Sequence, residues 1–397
     1  PMCRMRSRAA LLAALLLSFS AVIHADTTAP ESPEAQLLHG IEQLRGGDAK
    51  GALATLGTLT RQHPNFRLAN LFYSEVLAAL SGAGDSALVE NSTDPQLQAL
   101  TEEAHLRIAA EKATPAPGLV PSDILQLSSQ HPYVIVVDLP KARLYLLKND
   151  KDGRLELVRQ QYAGMGRNGY GKKTSGDLRT PVGVYHITGW IPGKTLPDFY
   201  GAGAFPLSYP NLWDQFNGRG GSGIWLHGVP PDTYVRAPRS SEGCVTMAND
   251  DLLALRPYVQ PGRTPVILSD DLSWKSAADL RAQRDAFMTR IEDWRQKWSA
   301  RDTAGYLAFY GQDFTTEGMN YAAFAAHKKR VNGVKKFIRV KLSNIDLFRY
   351  PGSDGSLMLA EFTMDYHSSN YSIVSRKQQF WKRDADGNWK IFREENL

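Results

Sequence analysis

The spacing of apolar residues changes character several times along the chain. Residues 9–23 form an apolar run interrupted only by Ser18 and Ser20, with Arg4, Arg6 and Arg8 before it and Ala25 after it. From residue 35 to about 80, apolar side chains recur every three or four positions: Leu37, Leu38, Ile41 and Leu44, then Leu53, Leu56 and Leu59, then Leu68, Leu71, Phe72 and Val76. That period places them on one face of a helix, and Gly46-Gly47-Asp48 and His63-Pro64 divide the run into three helices. From Tyr133 the pattern becomes that of strands. Residues 134–138 and 143–147 flank Pro140-Lys141-Ala142 and predict a hairpin, 155–163 and 266–268 predict further strands, and one helix is expected at 249–259. Helical spacing returns over 274–299, followed by Trp294, Trp298, Tyr306, Tyr310 and Phe314; strands are expected at 337–348, 357–366, 371–382 and 389–393.

Together these segments predict a multidomain α+β chain. Its parts are a helical N-terminal region at 35–113, a linker at 114–130, a mostly-β domain at 131–271, and a C-terminal α+β domain at 274–397 whose helices precede a curved antiparallel sheet. At 397 residues, with 43% hydrophobic content, the chain exceeds what one core usually serves, which agrees with several domains. The run Gly47-Asp48-Ala49, with Ala52-Leu53 and then Ala69, resembles a tetratricopeptide-type helical pair. Only one and a half such units are visible. The region therefore reads either as a cap on the next domain or as a docking surface for a protein partner or a second copy of the chain.

The first 25 residues have the layout of a secretory signal, and their apolar run of about fifteen residues is short for a membrane span. Cys3 precedes that run, so it is not placed for lipid attachment, and residues 26–34 read as a short solvated leader. Export to the periplasm is the expectation, with no membrane span in the mature chain. The formal charge of +5 includes the three leader arginines; without them 43 basic side chains face 41 acidic ones, and nothing favours a nucleic-acid partner. Removal of the leader also leaves Cys244 as the last cysteine. A lone thiol sent to an oxidising compartment has no disulfide partner, so it is either an inert buried residue or a nucleophile.

Thiols attack carbonyls as thiolates, and an ordinary thiol pKa of about 8.5 calls for a nearby imidazole. His227 is the natural partner because it ends the strand-like segment Gly223-Ile224-Trp225-Leu226 and precedes the turn Gly228-Val229-Pro230. Such a pair predicts thiolate character well below the ordinary range. The remaining histidines of the mature chain, His39, His63, His105, His131, His186, His327 and His367, read as surface or internally satisfied. Gly243 allows close backbone approach, and the N–H groups of Gly243 and Cys244 are candidates for holding a developing oxyanion. Ser241 either binds substrate or fixes the turn. Arg219, Arg236 and Arg239 are candidates for gripping carboxylates, against the alternative of solvated surface arginines. The glycine-rich, aromatic stretch 192–221, with Phe199, Tyr200, Phe205, Tyr209 and Trp213, reads as a lid or as an ordinary packed excursion. No Lys-Ser or Lys-Thr follows its glycines in a phosphate-loop pattern, and no metal-ligand spacing occurs, so neither nucleotide, metal nor other cofactor is expected.

The motif His227-Gly228, then Ser241-Glu242-Gly243-Cys244, resembles that of the cysteine L,D-transpeptidase catalytic domain, and Thr180-Pro181-Val182-Gly183-Val184-Tyr185 is similar to a conserved strand of the same family. Glu242 stands where His is commoner and Thr246 where Arg is commoner. The resemblance implies acyl transfer on peptidoglycan stem peptides: Cys244 attacks at diaminopimelate, terminal D-Ala leaves, and His227 moves the proton while the Gly228 carbonyl orients its ring. Transfer to an amine is transpeptidation, the family's default and the leading expectation here, and transfer to water is L,D-carboxypeptidation, the alternative; the whole-chain layout is similar to L,D-carboxypeptidases that set cell curvature. A non-catalytic wall-binding protein is the rival from another class. The C-terminal segment resembles the nuclear transport factor two superfamily, which implies a cone-shaped pocket with Tyr366, Tyr371, Lys377 and Glu394 as lining candidates.

Overall fold

The computed structural model of the protein describes residues 31–82 and 92–397; the expected signal segment and residues 26–30 lie outside them. Four helices open the described chain: Pro33–Arg45, Ala49–Gln62, Arg67–Ser81 and Pro95–Lys112. Ser32, Asp48 and Asp94 cap three of them by accepting the N–H of Ala35, Gly51 and Gln96. The fourth helix escapes apolar periodicity because the face it buries carries Glu103, Ala104, Arg107 and Ala110. Burial of these charges is balanced by pairing. Arg107 bonds Glu103 at 2.9 Å and Glu34 at 2.6 Å, and Glu34 also holds Arg143 of the central domain at 2.8 Å. Phe66 stacks on Tyr234 at 4.2 Å, and Glu102 meets Arg239 at 3.0 Å. The helices thus pack as a cap on the stretch between His227 and Cys244.

The central domain is built on a five-stranded sheet in the order Leu155–Tyr162, Arg143–Asn149, Tyr133–Asp138, Pro265–Ser269, Gly183–His186. Its middle strands are buried on both faces. Ile135, Val137, Leu144, Leu146, Val266 and Leu268 face the domain's own core, whereas Val134, Val136, Tyr145, Leu147 and Ile267 join Phe348, Leu359 and Phe380 of the C-terminal domain. Two covered faces explain why residues 134–137 are continuously apolar rather than alternating. A smaller sheet, ordered Val245–Thr246, Trp225–His227, Gly203–Pro206, Ile191–Pro192, carries the candidate site.

The segment 114–130 differs from the linker expected. Leu119–Pro121 pairs with Trp274–Ser276, and Ile124–Gln126 adds to the edge of the C-terminal sheet against Ile338–Arg349. Its prolines and polar residues belong to a seam, and Val120, Asp123, Ile124 and Leu125 are buried there. The C-terminal domain wraps the long helix Ala277–Ser299 with antiparallel strands Ile338–Arg349, Leu357–Ser368, Ser372–Arg383 and Trp389–Asn396. Tyr310–Thr316 pairs parallel to the last of these, and the helix Tyr321–Gly333 buries only Phe324, Ala325 and Asn332, too sparse a stripe to read from sequence.

A buried charge cluster ties the central domain to the C-terminal one. Asp346 accepts from Ser128 N–H at 2.6 Å and meets His131 Nε2 at 2.9 Å and Arg376 at 2.7 Å; Glu361 meets His186 Nε2 at 3.1 Å. His131 is therefore internally satisfied at both ring nitrogens, whereas His186 is held through Nε2 and its Nδ1 is buried without a partner among the described residues. Burial works against each charge, but Glu361 raises the pKa of His186 from 6.5, while His131 and Ser128 lower that of Asp346 from 3.8, and His186 and Arg376 lower that of Glu361 from 4.5. The His186 contribution is complete below about 6.5 and is lost as pH rises through its folded pKa. The carboxylates contribute above about 4.5 and fail as pH falls through their lowered values. Denaturant titration is expected to find this seam most stable between those limits. Asp346→Ala, which strands the Arg376 guanidinium and removes the acceptor facing His131 Nε2 and the Ser128 N–H, is expected to cost about 3 kcal/mol; a loss under about 1 kcal/mol would show that the cluster does not hold the domains together.

Candidate active site

Strand register brings the two key side chains together. Trp225–His227 runs parallel to Val245–Thr246, with Leu226 opposite Val245 and His227 opposite Thr246, so Cys244 falls beside Trp225, two residues from His227 and on the same face. Cys244 Sγ lies 3.4 Å from the Trp225 N–H, which donates to it, and 3.4 Å from the Gly223 carbonyl, which accepts the thiol proton. His227 Nδ1 is 2.7 Å from the Gly228 carbonyl. A carbonyl only accepts, so Nδ1 carries the hydrogen and Nε2 is left as the basic nitrogen.

Both residues line one cleft of about 230 Å³ with Lys172, Tyr200, Ser222 and Glu242. Burial pushes the Cys244 thiol up to about 11, against the opposing Trp225 N–H and Arg236 charge. Burial also holds His227 down to about 4; the Gly228 bond opposes this and Arg236 adds to it. At neutral pH the site therefore contains a thiol and a neutral imidazole, not the thiolate pair expected from sequence.

The backbone around the pair is tightly specified. Gly243 sits at φ +133°, and a Cβ there would stand 2.9 Å from the Arg179 carbonyl, so a larger residue would be strained and crowded. A Cβ at Gly228 would collide with Asn249 Oδ1. Asn249, which sequence reasoning did not single out, accepts from Ala202 N–H at 2.9 Å and Val229 N–H at 3.1 Å, and donates to the Val229 carbonyl at 2.9 Å. It clamps the turn that supplies the Gly228 carbonyl. Its position at the start of the helix Asn249–Leu255 gave no signal, because the partners come from two distant loops. Asn249→Ala is expected to destabilise the protein by about 1–3 kcal/mol in denaturant titration and to lower activity. An unchanged midpoint would mean that the clamp is dispensable.

The other expected site residues divide. Ser241 Oγ accepts from Gly243 N–H at 3.1 Å and donates to the Cys244 carbonyl at 2.6 Å, so it fixes the turn. That bond takes the Gly243 N–H away from the expected oxyanion site and leaves the Cys244 N–H, which has no hydrogen bond among the described residues. Arg219 pairs with buried Asp214 at 3.1 Å, and Asp214 also accepts from Tyr185 OH at 2.9 Å. None of the three arginines lines the cleft; Arg219 and Arg239 are each held by a carboxylate elsewhere. Arg236 lies over the Phe199 ring at 4.6 Å.

The stretch 192–221 is a lid only in part. Tyr200 and Phe199 pack on His227 at 4.9 and 5.8 Å, but Phe205 and Tyr209 belong to the core, and Trp213 stacks on Phe380 of the C-terminal domain. Gly203–Pro206 pairs with the His227 strand, so removing the stretch would remove the wall of the site. In the C-terminal domain the four lining candidates form two pairs. Lys377 bonds buried Glu394 at 2.8 Å, whereas Tyr366 and Tyr371 lie 6.2 Å apart, with Tyr371 exposed. Lys328, over Trp298 at 4.7 Å, was missed; burial lowers its pKa to about 8.

A thiol and a singly available imidazole nitrogen, in a cleft on paired strands, are the elements of a cysteine acyl-transfer site. Residues 132–268 match the model of the YkuD L,D-transpeptidase catalytic domain, and residues 286–395 match that of the Cds6 C-terminal NTF2-like domain. Bd1075 of Bdellovibrio bacteriovorus is 30% identical, with TM-score 0.62 over 70% of this chain and 98% of that one. The helical cell shape determining protein Pgp2 of Campylobacter jejuni is 26% identical, with TM-score 0.56 over 74% of this chain and 99% of that one. A search of the curated proteins returned no match. The chain belongs to the L,D-transpeptidase catalytic-domain family and carries a C-terminal NTF2-like domain.

Proposed function

We propose that the protein is a cysteine acyltransferase of peptidoglycan that cleaves the bond between diaminopimelate and terminal D-Ala in tetrapeptide stems. The observation that carries this reading is the cleft lined by both Cys244 and a neutral His227 whose tautomer is fixed by Gly228. Nε2 takes the thiol proton as Sγ bonds to the carbonyl carbon, and the Cys244 N–H donates to the oxyanion. Collapse breaks the C–N bond, the imidazolium returns its proton to the leaving amine, and a thioester remains. Because neither group is charged beforehand, proton transfer accompanies attack instead of preceding it. Such a substrate lies outside the cytoplasmic membrane, in agreement with the leader expected at 1–25; no helix among the described residues is long and apolar enough to cross a membrane.

Water as the acceptor is supported by the size of the cleft at Cys244, whose volume of about 230 Å³, flanked by Phe199 and Tyr200, suits one stem end better than two. The product is then a tripeptide, and the activity is L,D-carboxypeptidation. The similarity to a cell-shape protein over nearly its whole length supports the same reading. Transpeptidation, the family's namesake reaction, is the second reading. Mass analysis of products from tetrapeptide-rich peptidoglycan decides: tripeptide without a diaminopimelate-to-diaminopimelate dimer is expected, abundant dimer would establish transpeptidation, and no conversion at all would support a wall-binding role.

A further inference from the structure

Arg236 differs from the other two candidate arginines in lacking a carboxylate partner among the described residues. Its Nη2 donates to the Ser240 carbonyl at 2.9 Å, while Nη1 is buried with no hydrogen bond. A guanidinium N–H shut away from both water and acceptor is unfavourable, and a carboxylate ligand is the acceptor best matched to relieve it. Phe199, whose ring covers the guanidinium, is 41% exposed and lines the catalytic cleft. Behind it, Arg236 lines a neighbouring cavity of about 370 Å³ between the helical cap and the stretch 233–240, beside Arg67, Gln96 and Ser240. The Phe199–Arg236 stack thus stands between the two spaces.

The partition lies on the side of the site where the leaving group must be. His227 has to reach the departing amine, so the departing residue sits on the His227 side of Cys244. Phe199 packs on that imidazole at 5.8 Å, and the Arg236 charge acts on both His227 and Cys244. A single leaving residue extends only about 3.5 Å along the chain, which brings its terminal carboxylate toward the partition. We infer that Arg236 anchors the free carboxylate of the residue that leaves, with the Phe199 ring yielding its place over the guanidinium, so that the site reads the end of the stem. This rests on the acyl-transfer reading above.

The experiment is steady-state release of the terminal residue from a disaccharide tetrapeptide with a free carboxylate, and from the same compound with a terminal carboxamide. The unsubstituted protein, Arg236→Ala and Arg236→Lys are compared. The unsubstituted protein is expected to favour the acid by about 10- to 100-fold in kcat/KM, mainly through KM. Arg236→Ala should lose that margin on the acid alone and treat both compounds alike, and Arg236→Lys should restore part of it as a point charge without the planar fork. A loss in Arg236→Ala that is equal for both compounds would assign the residue a structural role and overturn the inference. An unsubstituted protein that releases the residue from both with equal efficiency would overturn the inference and leave the acyl-transfer reading intact; release from neither would overturn both.

Discussion

Cys244→Ala is expected to abolish release of D-Ala from tetrapeptide stems, lowering kcat by at least about 10⁴-fold. The hydroxyls of Ser175, Ser222 and Ser241 also line the cleft, but an alcohol is a far weaker nucleophile, and Ser241 is committed to the Cys244 turn. The substitution removes two weak sulfur contacts at 3.4 Å, so the unfolding midpoint should barely move. Chromatographic assay of tripeptide formation, with the denaturation curve measured alongside, separates lost chemistry from lost fold. A folded Cys244→Ala protein as active as its parent would refute the thioester route.

His227→Ala should lower kcat by about 10³- to 10⁴-fold, and the pH dependence should show how the pair works. The imidazole is active only when neutral, and burial holds its pKa to about 4, so activity should persist through pH 5 and decline only as pH approaches that value. An ordinary histidine near 6.5 would already have lost most of its base form there. On the alkaline side desolvation pushes the half-buried thiol up to about 11, so alkylation of Cys244 by iodoacetamide should keep rising well beyond pH 9. A plateau of alkylation near neutrality would reveal a preformed thiolate and contradict the neutral pair.

The part of this site that was legible in the sequence is the part encoded locally. His227-Gly228 and Gly243-Cys244 each occupy adjacent positions at a strand end, and the glycines are required by a positive φ at Gly243 and by the close approach of Asn249 at Gly228. The choice among Arg219, Arg236 and Arg239 was not legible. Whether an arginine is free depends on Asp214 and Glu102, which only tertiary packing brings to Arg219 and Arg239. The Asn249 clamp was hidden for the same reason. Thiol ionisation is not legible either, because residue identity proposes a charge partner, whereas desolvation of the imidazole and the sulfur works against charge on both. In the fold, strands with long apolar runs were evident. The fourth helix was masked by its buried Arg107 and Glu103, and the seam at 119–126 by its prolines and polar residues.

The central claim, that Cys244 carries the acyl group, is tested most directly by acid-quenching the protein with excess tetrapeptide muropeptide and weighing the peptide that contains Cys244. A mass increase equal to the muropeptide less its terminal D-Ala, absent in Cys244→Ala, is the predicted result. Product accumulating with no adduct on Cys244 at any quench time, and at the same rate in Cys244→Ala, would contradict it.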